Sequence, residues 1–237
     1  MCRSTDPRDK RTRVGALVQT DGGTTILIDT PPELRLQLIA AGVSTVDAIL
    51  FTHDHADHVH GIDDIRAMSD RGKGPIDMYG PPDSMARLAS RFPYIFDPSV
   101  RPLPGTSKPE GRAHAVTAGK SFRVGDVDIL PVAVPHGPIS VYAYRIGKLG
   151  YITDAKELPD DALKAFRGVD VLVLNALFRS PHPTHFSISE AVAAAQMVGA
   201  RQTFLTHLTH RTGHAELEAE LPRGIAPAFD GLTVEIN

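Results

Sequence analysis

The segment His53-Asp54-His55-Ala56-Asp57-His58 follows directly on the apolar run Ala48-Ile49-Leu50-Phe51-Thr52, and this junction constrains the chain more than any other feature. Imidazoles and carboxylates this dense crowd polar groups against a buried strand unless they share a ligand. In extended chain, positions i and i+2 point to the same side, so His53 and His55 can grip one ion. A turn into a helix just afterwards lets Asp57 and His58 face a second ion. Imidazole nitrogen with carboxylate oxygen suits Zn²⁺ first, with Mn²⁺ or Fe²⁺ compatible, whereas Ca²⁺ asks for oxygens only. By the same alternation Asp54 and Ala56 face away, into solvated or supporting roles, and His60 is a decoy.

Two ions need more ligands than that segment supplies. Three further candidates stand where an apolar run meets a polar loop: His136 after Val132-Ala133-Val134-Pro135, Asp154 after Tyr151-Ile152-Thr153, and His207 after Phe204-Leu205-Thr206. Each taken singly has an ordinary explanation, a satisfied polar residue or a cap. Their pairing with the first cluster raises them. Around them the pattern is mixed α and β. A hairpin turns at Asp21-Gly22-Gly23, and a helix runs from Pro31-Pro32 through Leu34, Leu38 and Ile39 to Gly42. Ile76 to Tyr79 is a strand and Ser84 to Arg91 a helix. The proline-rich stretch 97–111 is an irregular flap, read as a substrate lid. Val141 to Ile146 pairs with Tyr151 to Thr153, Val169 to Leu174 is a strand, and Ser187-Ile188-Ser189-Glu190 has capping-box spacing before an alanine-rich helix.

Composition narrows the class. The chain has 237 residues, 42% of them hydrophobic, with 25 Lys+Arg against 28 Asp+Glu and a net charge of -3, which excludes fibrous and disordered chains and gives no general pull towards nucleic acid. No linker interrupts it, so a single domain over residues 1–237 is expected. No run approaches the ~18 apolar residues of a membrane span. The opening residues lack the apolar stretch of a secretory signal, which makes the cytoplasm the default location. Cys2 is the only cysteine, against 11 histidines, so neither an internal disulfide nor a multi-cysteine zinc knuckle is available to one chain.

The order of apolar strand, HxHxDH, distant His, Asp and terminal His resembles the metallo-β-lactamase superfamily over most of the chain. The resemblance implies an α/β fold, a four-layer αββα sandwich, with two divalent ions, Zn²⁺ before Mn²⁺. It implies His53, His55 and His136 on one metal, Asp57, His58 and His207 on the other, and Asp154 between them. Tyr79-Gly80-Pro81-Pro82, Thr184-His185-Phe186-Ser187, Leu205-Thr206-His207-Leu208-Thr209-His210 and Phe229-Asp230-Gly231-Leu232 look like its cyclic-phosphate phosphodiesterase branch, whose prototype acts on phosphoribosyl 1,2-cyclic phosphate. There a histidine in the place of His185 contacts the phosphate and assists proton transfer, so His185 and Asp57 are the implied catalytic pair. Two departures stand out. Family members begin with another strand and a glycine-rich turn, so an N-terminal strand is expected to be missing. The prototype's structural zinc, held by several cysteines and a histidine, is not expected here, where Cys2 alone stands beside His210; His210 and His214 are then supporting or surface residues.

Two divalent ions, two carboxylates and one hydroxide leave a centre near +1, which suits a phosphodiester monoanion. The implied reaction is hydrolysis of a cyclic phosphate or other small phosphodiester by metal-bound hydroxide, with His185 protonating the leaving alkoxide. The implied partner is that small phosphodiester; neither a membrane nor a nucleic acid is expected, and a homodimer stays compatible. Rival readings on the same scaffold are a tRNA 3′-processing endonuclease, which carries a basic arm larger than the stretch with Arg101 and Lys108, and a hydrolase or oxidoreductase acting on a non-phosphate substrate. A closed, purely structural metal module is the reading from another class.

Overall fold

Asp21-Gly22-Gly23 reverses the chain as its sequence predicts. In the computed structural model, which describes residues 3–69 and 74–236 and leaves Cys2 outside them, β1 (Ala16–Gln19) and β2 (Thr25–Ile28) pair antiparallel across that turn. Three strands then add in sequence order, all parallel: β3 (Ala48–Leu50), β4 (Ile76–Gly80) and β5 (Gly111–Ala115). These strands belong to the first of two units, Arg13–Asp128. Leu27, Ile49 and Met78 pack with Leu34 and Leu38 of α1 (Leu34–Ala40). The i, i+4 spacing of the two leucines puts them on one face; Ile39, one step further round, is exposed rather than part of that face.

The cluster motif turns into α2 (Ala56–Val59), a short helix followed by a 3₁₀ turn over Ile62–Ile65 and by α3 (Arg66–Met68). After β4 come α4 (Pro82–Arg91), which opens on Pro82 where its missing N–H is harmless, and α5 (Pro93–Phe96). Met85, Leu88 and Ile95 bury against the same cluster. Residues 97–110 carry no helix or strand, in keeping with the expected irregular segment. β6 (Phe122–Val124) then runs through the Gly125-Asp126 turn into β7 (Val127–His136).

The second unit is Met1–Thr12 with Ile129–Asn237. β7 pairs antiparallel with β8 (Ile139–Ile146), and β8 with β9 (Leu149–Ile152) across Gly147-Lys148, a turn two residues shorter than the sequence suggests. β10 (Val171–Asn175), β11 (Gln202–Thr206) and β12 (Ile225–Pro227) follow in parallel. Three helices join them: α6 (Asp160–Phe166), α7 (Ile188–Val198) and α8 (His214–Glu220). Both halves of the Ser187–Glu190 capping box form, and α7 ends at Gly199 with φ 72°. Ala191, Ala194, Ala195 and Val198 recur at helical spacing and bury against Leu172, Leu174 and Leu205. Among the described residues no helix is long and apolar enough to cross a membrane.

Parallel strands bring their carboxyl ends to one edge of a sheet, where α/β folds place ligands. In the first unit Asp29 and His53 follow the ends of β2 and β3; in the second, His136 ends β7 while Asp154 and His207 follow β9 and β11. The loop that carries Asp29 is tied to the histidine segment: the Thr30 amide donates to the His58 carbonyl at 2.7 Å and the Gly61 amide to the Thr30 carbonyl at 2.8 Å. A Cβ on Gly61 would lie 2.0 Å from the Pro31 carbonyl oxygen. Only glycine allows that approach. Gly61→Ala is therefore expected to lower unfolding free energy by about 1–3 kcal/mol, read by urea denaturation; an unchanged midpoint would show that the two loops can part without cost.

Candidate metal centre

The first unit brings the four cluster residues together. The rings of His53 and His55 lie 4.4 Å apart between centroids and those of His53 and His58 4.3 Å apart, so the i, i+2 alternation and the turn into α2 do what the spacing predicts. His58 Nε2 is 3.6 Å from the Asp57 carboxylate. Ala56 and His60 are exposed.

Asp29 organises this group. Its carboxylate is completely buried and accepts from the Thr52 amide at 2.8 Å, the Thr52 hydroxyl at 2.8 Å and His58 Nδ1 at 2.8 Å. Because the Thr52 hydroxyl gives its proton to Asp29, its oxygen accepts from His53 Nδ1, 3.0 Å away. One carboxylate thus fixes two imidazoles in the same tautomer, one directly and one through a hydroxyl, with the lone pair of each ring on Nε2. Burial pushes the Asp29 carboxyl above its ordinary value, a cost that the contacts with His58 and Thr52 offset in part. Asp54 is buried rather than solvated: Ser84 and Arg87 bind its side chain, Arg87 by two nitrogens at 2.6 and 2.9 Å, and Arg91 grips both its carboxylate and its carbonyl oxygen. Burial alone would raise its carboxyl, but these hydrogen bonds and the two guanidinium charges hold it below the ordinary value.

The second unit gathers His136, Asp154, His185 and His207. Ligand atoms of His136, Asp154 and His185 all lie within 4.8 Å of one another. His185 Nε2 is 2.8 Å and His207 Nε2 3.3 Å from Asp154 Oδ1. His136 Nδ1 donates to the Thr184 carbonyl at 2.9 Å, which again places the ring's lone pair on Nε2, and burial pushes this imidazole below its ordinary value, keeping it neutral. The Asn175 side chain clamps the residue after Asp154, accepting from the Ala155 amide at 2.8 Å and donating to the Ala155 carbonyl at 3.0 Å. On its far side His185 Nδ1 meets the Thr184 hydroxyl at 2.8 Å and His182 Nδ1 at 3.3 Å.

Non-glycine residues with positive φ are uncommon, and among the described residues they are Asp29 (61°), Asp154 (58°) and His207 (57°). Each follows a parallel strand and each belongs to a donor group or its support. Backbone strain of this kind, about 1–3 kcal/mol per residue, persists where surrounding bonds over-determine it. The donor set fits a divalent metal: neutral imidazoles with Nε2 lone pairs, carboxylates beside them and a carboxylate, a hydroxyl or a backbone carbonyl behind the rings.

Asp29, Asn175 and His182 escaped the sequence reading, although Leu27-Ile28-Asp29 and Val173-Leu174-Asn175 show the same strand-then-polar signal as the residues that were found. His210 is exposed, but His214 is not a surface residue: it is buried against Phe229, its amide donates to Asp9, and burial pushes its imidazole below the ordinary value.

The β-lactamase superfamily domain model matches residues 24–208. The crystal structure of a diphosphatase of the PhnP family is 36% identical and superposes with a TM-score of 0.90, covering 100% of this chain and 89% of that one. The octanoyltransferase of Porphyromonas gingivalis (strain ATCC BAA-308 / W83) is 34% identical over 100% of this chain, which spans only 47% of that protein's length. The ribonuclease Z of Bradyrhizobium sp. (strain ORS 278) is 28% identical over 96% of both chains.

Two outcomes follow. Asp29→Asn keeps shape and tolerates positive φ but gives its two partners a weaker acceptor; divalent-metal affinity measured by competition with a chromophoric chelator is expected to fall about 10- to 100-fold. His214, neutral when folded, has a pKa below the unfolded value near 6.5. The unfolded chain then binds more protons as pH drops through that value, and stability is lost on acidification. Between pH 7.5 and 5.5 the wild type should lose more unfolding free energy than His214→Gln; parallel losses would contradict it.

Proposed function

We propose that this chain, a hydrolase that belongs to the β-lactamase superfamily and within it to the PhnP family, cleaves a small phosphodiester, a cyclic phosphate being the leading case, with two divalent ions. His53, His55 and His136 would hold one ion, Asp57, His58 and His207 the other, and Asp154 would serve both. Zn²⁺ is the first choice and Mn²⁺ the second, from the nitrogen and oxygen donors. Bound there, the ions would lower the pKa of water and stabilise charge on a phosphoryl oxygen.

The observation that carries the reading is His185. The ligand set is complete without it, yet its Nε2 sits 2.8 Å from Asp154 Oδ1 and its ring 4.7 Å from His136 and 5.0 Å from His207. An imidazole held among donors but not needed as one is placed for proton transfer, and the leaving alkoxide of a phosphodiester needs a proton. Thr184 and His182 against Nδ1 steady the ring. Asp57, half-buried at the start of α2, would combine ligation with an acceptor for the proton of attacking water. The similarity to a diphosphatase supports phosphorus chemistry without naming the ester.

Relatives named ribonuclease Z favour a second reading, a nuclease. Against a basic arm in the proline-rich segment, Lys108 is turned inward, donating to the Tyr94 carbonyl at 2.9 Å with Glu110 3.7 Å away, so it adds no charge for an RNA backbone.

Metal analysis of reconstituted protein with hydrolysis of bis-p-nitrophenyl phosphate tests both. About two ions per chain and metal-dependent hydrolysis are expected, with His55→Ala losing metal and activity together. His185→Ala should keep its metal and lose about 10²- to 10⁴-fold in kcat. Loss of metal in that variant would reassign His185 as a ligand, and cleavage of precursor tRNA in preference to small diesters would favour the nuclease.

A further inference from the structure

Of the three residues held at positive φ, two have a clamp beside them. Asp29 is followed by Thr30, tied to His58 and Gly61, and Asp154 by Ala155, closed on both of its hydrogen-bonding groups by Asn175. The third, His207, opens the segment between β11 and α8, residues 207–213. Its clamp comes from the far end of the chain.

Arg11 Nη1 donates to two carbonyls of that segment, Thr209 at 3.1 Å and Thr212 at 3.0 Å. One nitrogen that meets both carbonyls closes the loop around itself, as Asn175 closes Ala155. Leu208 packs on the core of the second unit and Thr212 is buried, so the loop is seated as well as closed. Arg11 is held in its turn. Its Nη2 lies 3.6 Å from the Asp9 carboxylate, which also receives the His214 amide at 2.8 Å and the Ser4 hydroxyl at 2.6 Å. The amide of the next residue, Thr12, donates to Asp230 at 2.9 Å. Residues 4–12 thus strap the segment between β11 and α8 to the turn that follows β12.

Net stability is a poor reason for this cation. The Arg11 side chain is only 11% exposed, and its Nε and Nη2 find no hydrogen-bond acceptor among the described residues. A buried guanidinium with donors left over offsets much of what its ion pair contributes. What it supplies, and an apolar side chain cannot, is the pair of bonds to the Thr209 and Thr212 carbonyls. Those bonds fix a loop whose first residue is strained, and strain persists only where its surroundings over-determine it.

We propose that Arg11 is a positioning residue of the metal centre: through the Thr209 and Thr212 carbonyls it keeps His207 in its ligating conformation, so that the amino-terminal segment sets the affinity for one of the two ions and not for the other. The inference rests on the two-ion reading and adds to it a residue remote in sequence from every ligand.

Zn²⁺ titration in competition with a chromophoric chelator, which resolves two binding steps, tests it. Arg11→Met keeps the length of the side chain and drops both bonds. It is expected to weaken one step about 10- to 100-fold and the other less than about 2-fold. Arg11→Lys, which keeps the charge beside Asp9 and can reach a carbonyl, should show the same pattern at smaller size. The weakened step should be the one that His207→Ala removes, and the double variant should bind no worse than His207→Ala alone. Equal weakening of both steps, weakening of neither, or a further loss in the double variant overturns the proposal. A wild type that binds fewer than two ions sinks the two-ion reading instead. Hydrogen exchange of the metal-free chain then decides the role of Arg11: amides of residues 207–213 that exchange about 10-fold faster in Arg11→Met, with residues 153–156 unchanged, support it, and equal exchange in the two chains overturns it.

Discussion

The buried carboxylate of Asp29 is the contact on which the first unit's donors depend. A carboxylate without exposure is costly unless donors surround it, and here the donors are the Thr52 amide, the Thr52 hydroxyl and His58. The positive φ of Asp29 aims it at them. Both consequences are chemical: His53 and His58 are oriented, and both carry their lone pair on Nε2. The ties between Thr30, His58 and Gly61 then hold the loop that bears the carboxylate to the segment it organises. Asp54, between two of the histidines, is pinned from its own side by Arg87 and Arg91 on α4, so the segment is held by opposite charges as well as by backbone bonds.

The second unit reaches a like result by other means. Asp154 and His207 also have positive φ, but the support is a neutral amide, Asn175, closing both hydrogen-bonding groups of Ala155. A carboxamide offers a donor and an acceptor at once and carries no charge into a fully buried place. His136 relies on a backbone carbonyl. Charged support, the Asp29 carboxylate, stands behind one donor group and neutral support behind Asp154 and His136 of the other, which leaves the negative charge of the second group to Asp154.

Much of this was legible in the sequence because strand ends announce themselves: an apolar run followed by His or Asp gave His53, His136, Asp154 and His207 from one dimension. The capping box of α7 and the Asp-Gly turn were legible for the same reason, as local chemistry with local spacing. What escaped depends on contacts between distant residues. Asp29 ends a strand as visibly as Asp154 does, but its value lies in Thr52 and His58, more than twenty positions away. The burial of Asp54 could not be seen without α4, nor that of His214 without Asp9 and Phe229. β5, β6 and β12, short and only partly apolar, gave no clear period. The shortened β8–β9 turn follows from Gly147, whose φ of 56° reverses the chain at once.

Strain and burial point the same way about selection. Glycine would adopt the conformations of Asp29, Asp154 and His207 without the steric cost, and an apolar residue would fill a buried place without desolvation. A chain shaped for stability alone would hold neither aspartates nor a histidine there. Their presence at the carboxyl ends of parallel strands marks stability set aside for a ligand, which is where strain is expected to gather. Such strand ends belong to the scaffold, and one scaffold serves several chemistries. Discrimination among substrates therefore falls to the segments that continue beyond them, residues 176–187 and 207–213, where exposed side chains alternate with buried ones such as Ala176, Phe186 and Thr212 that keep the segments seated.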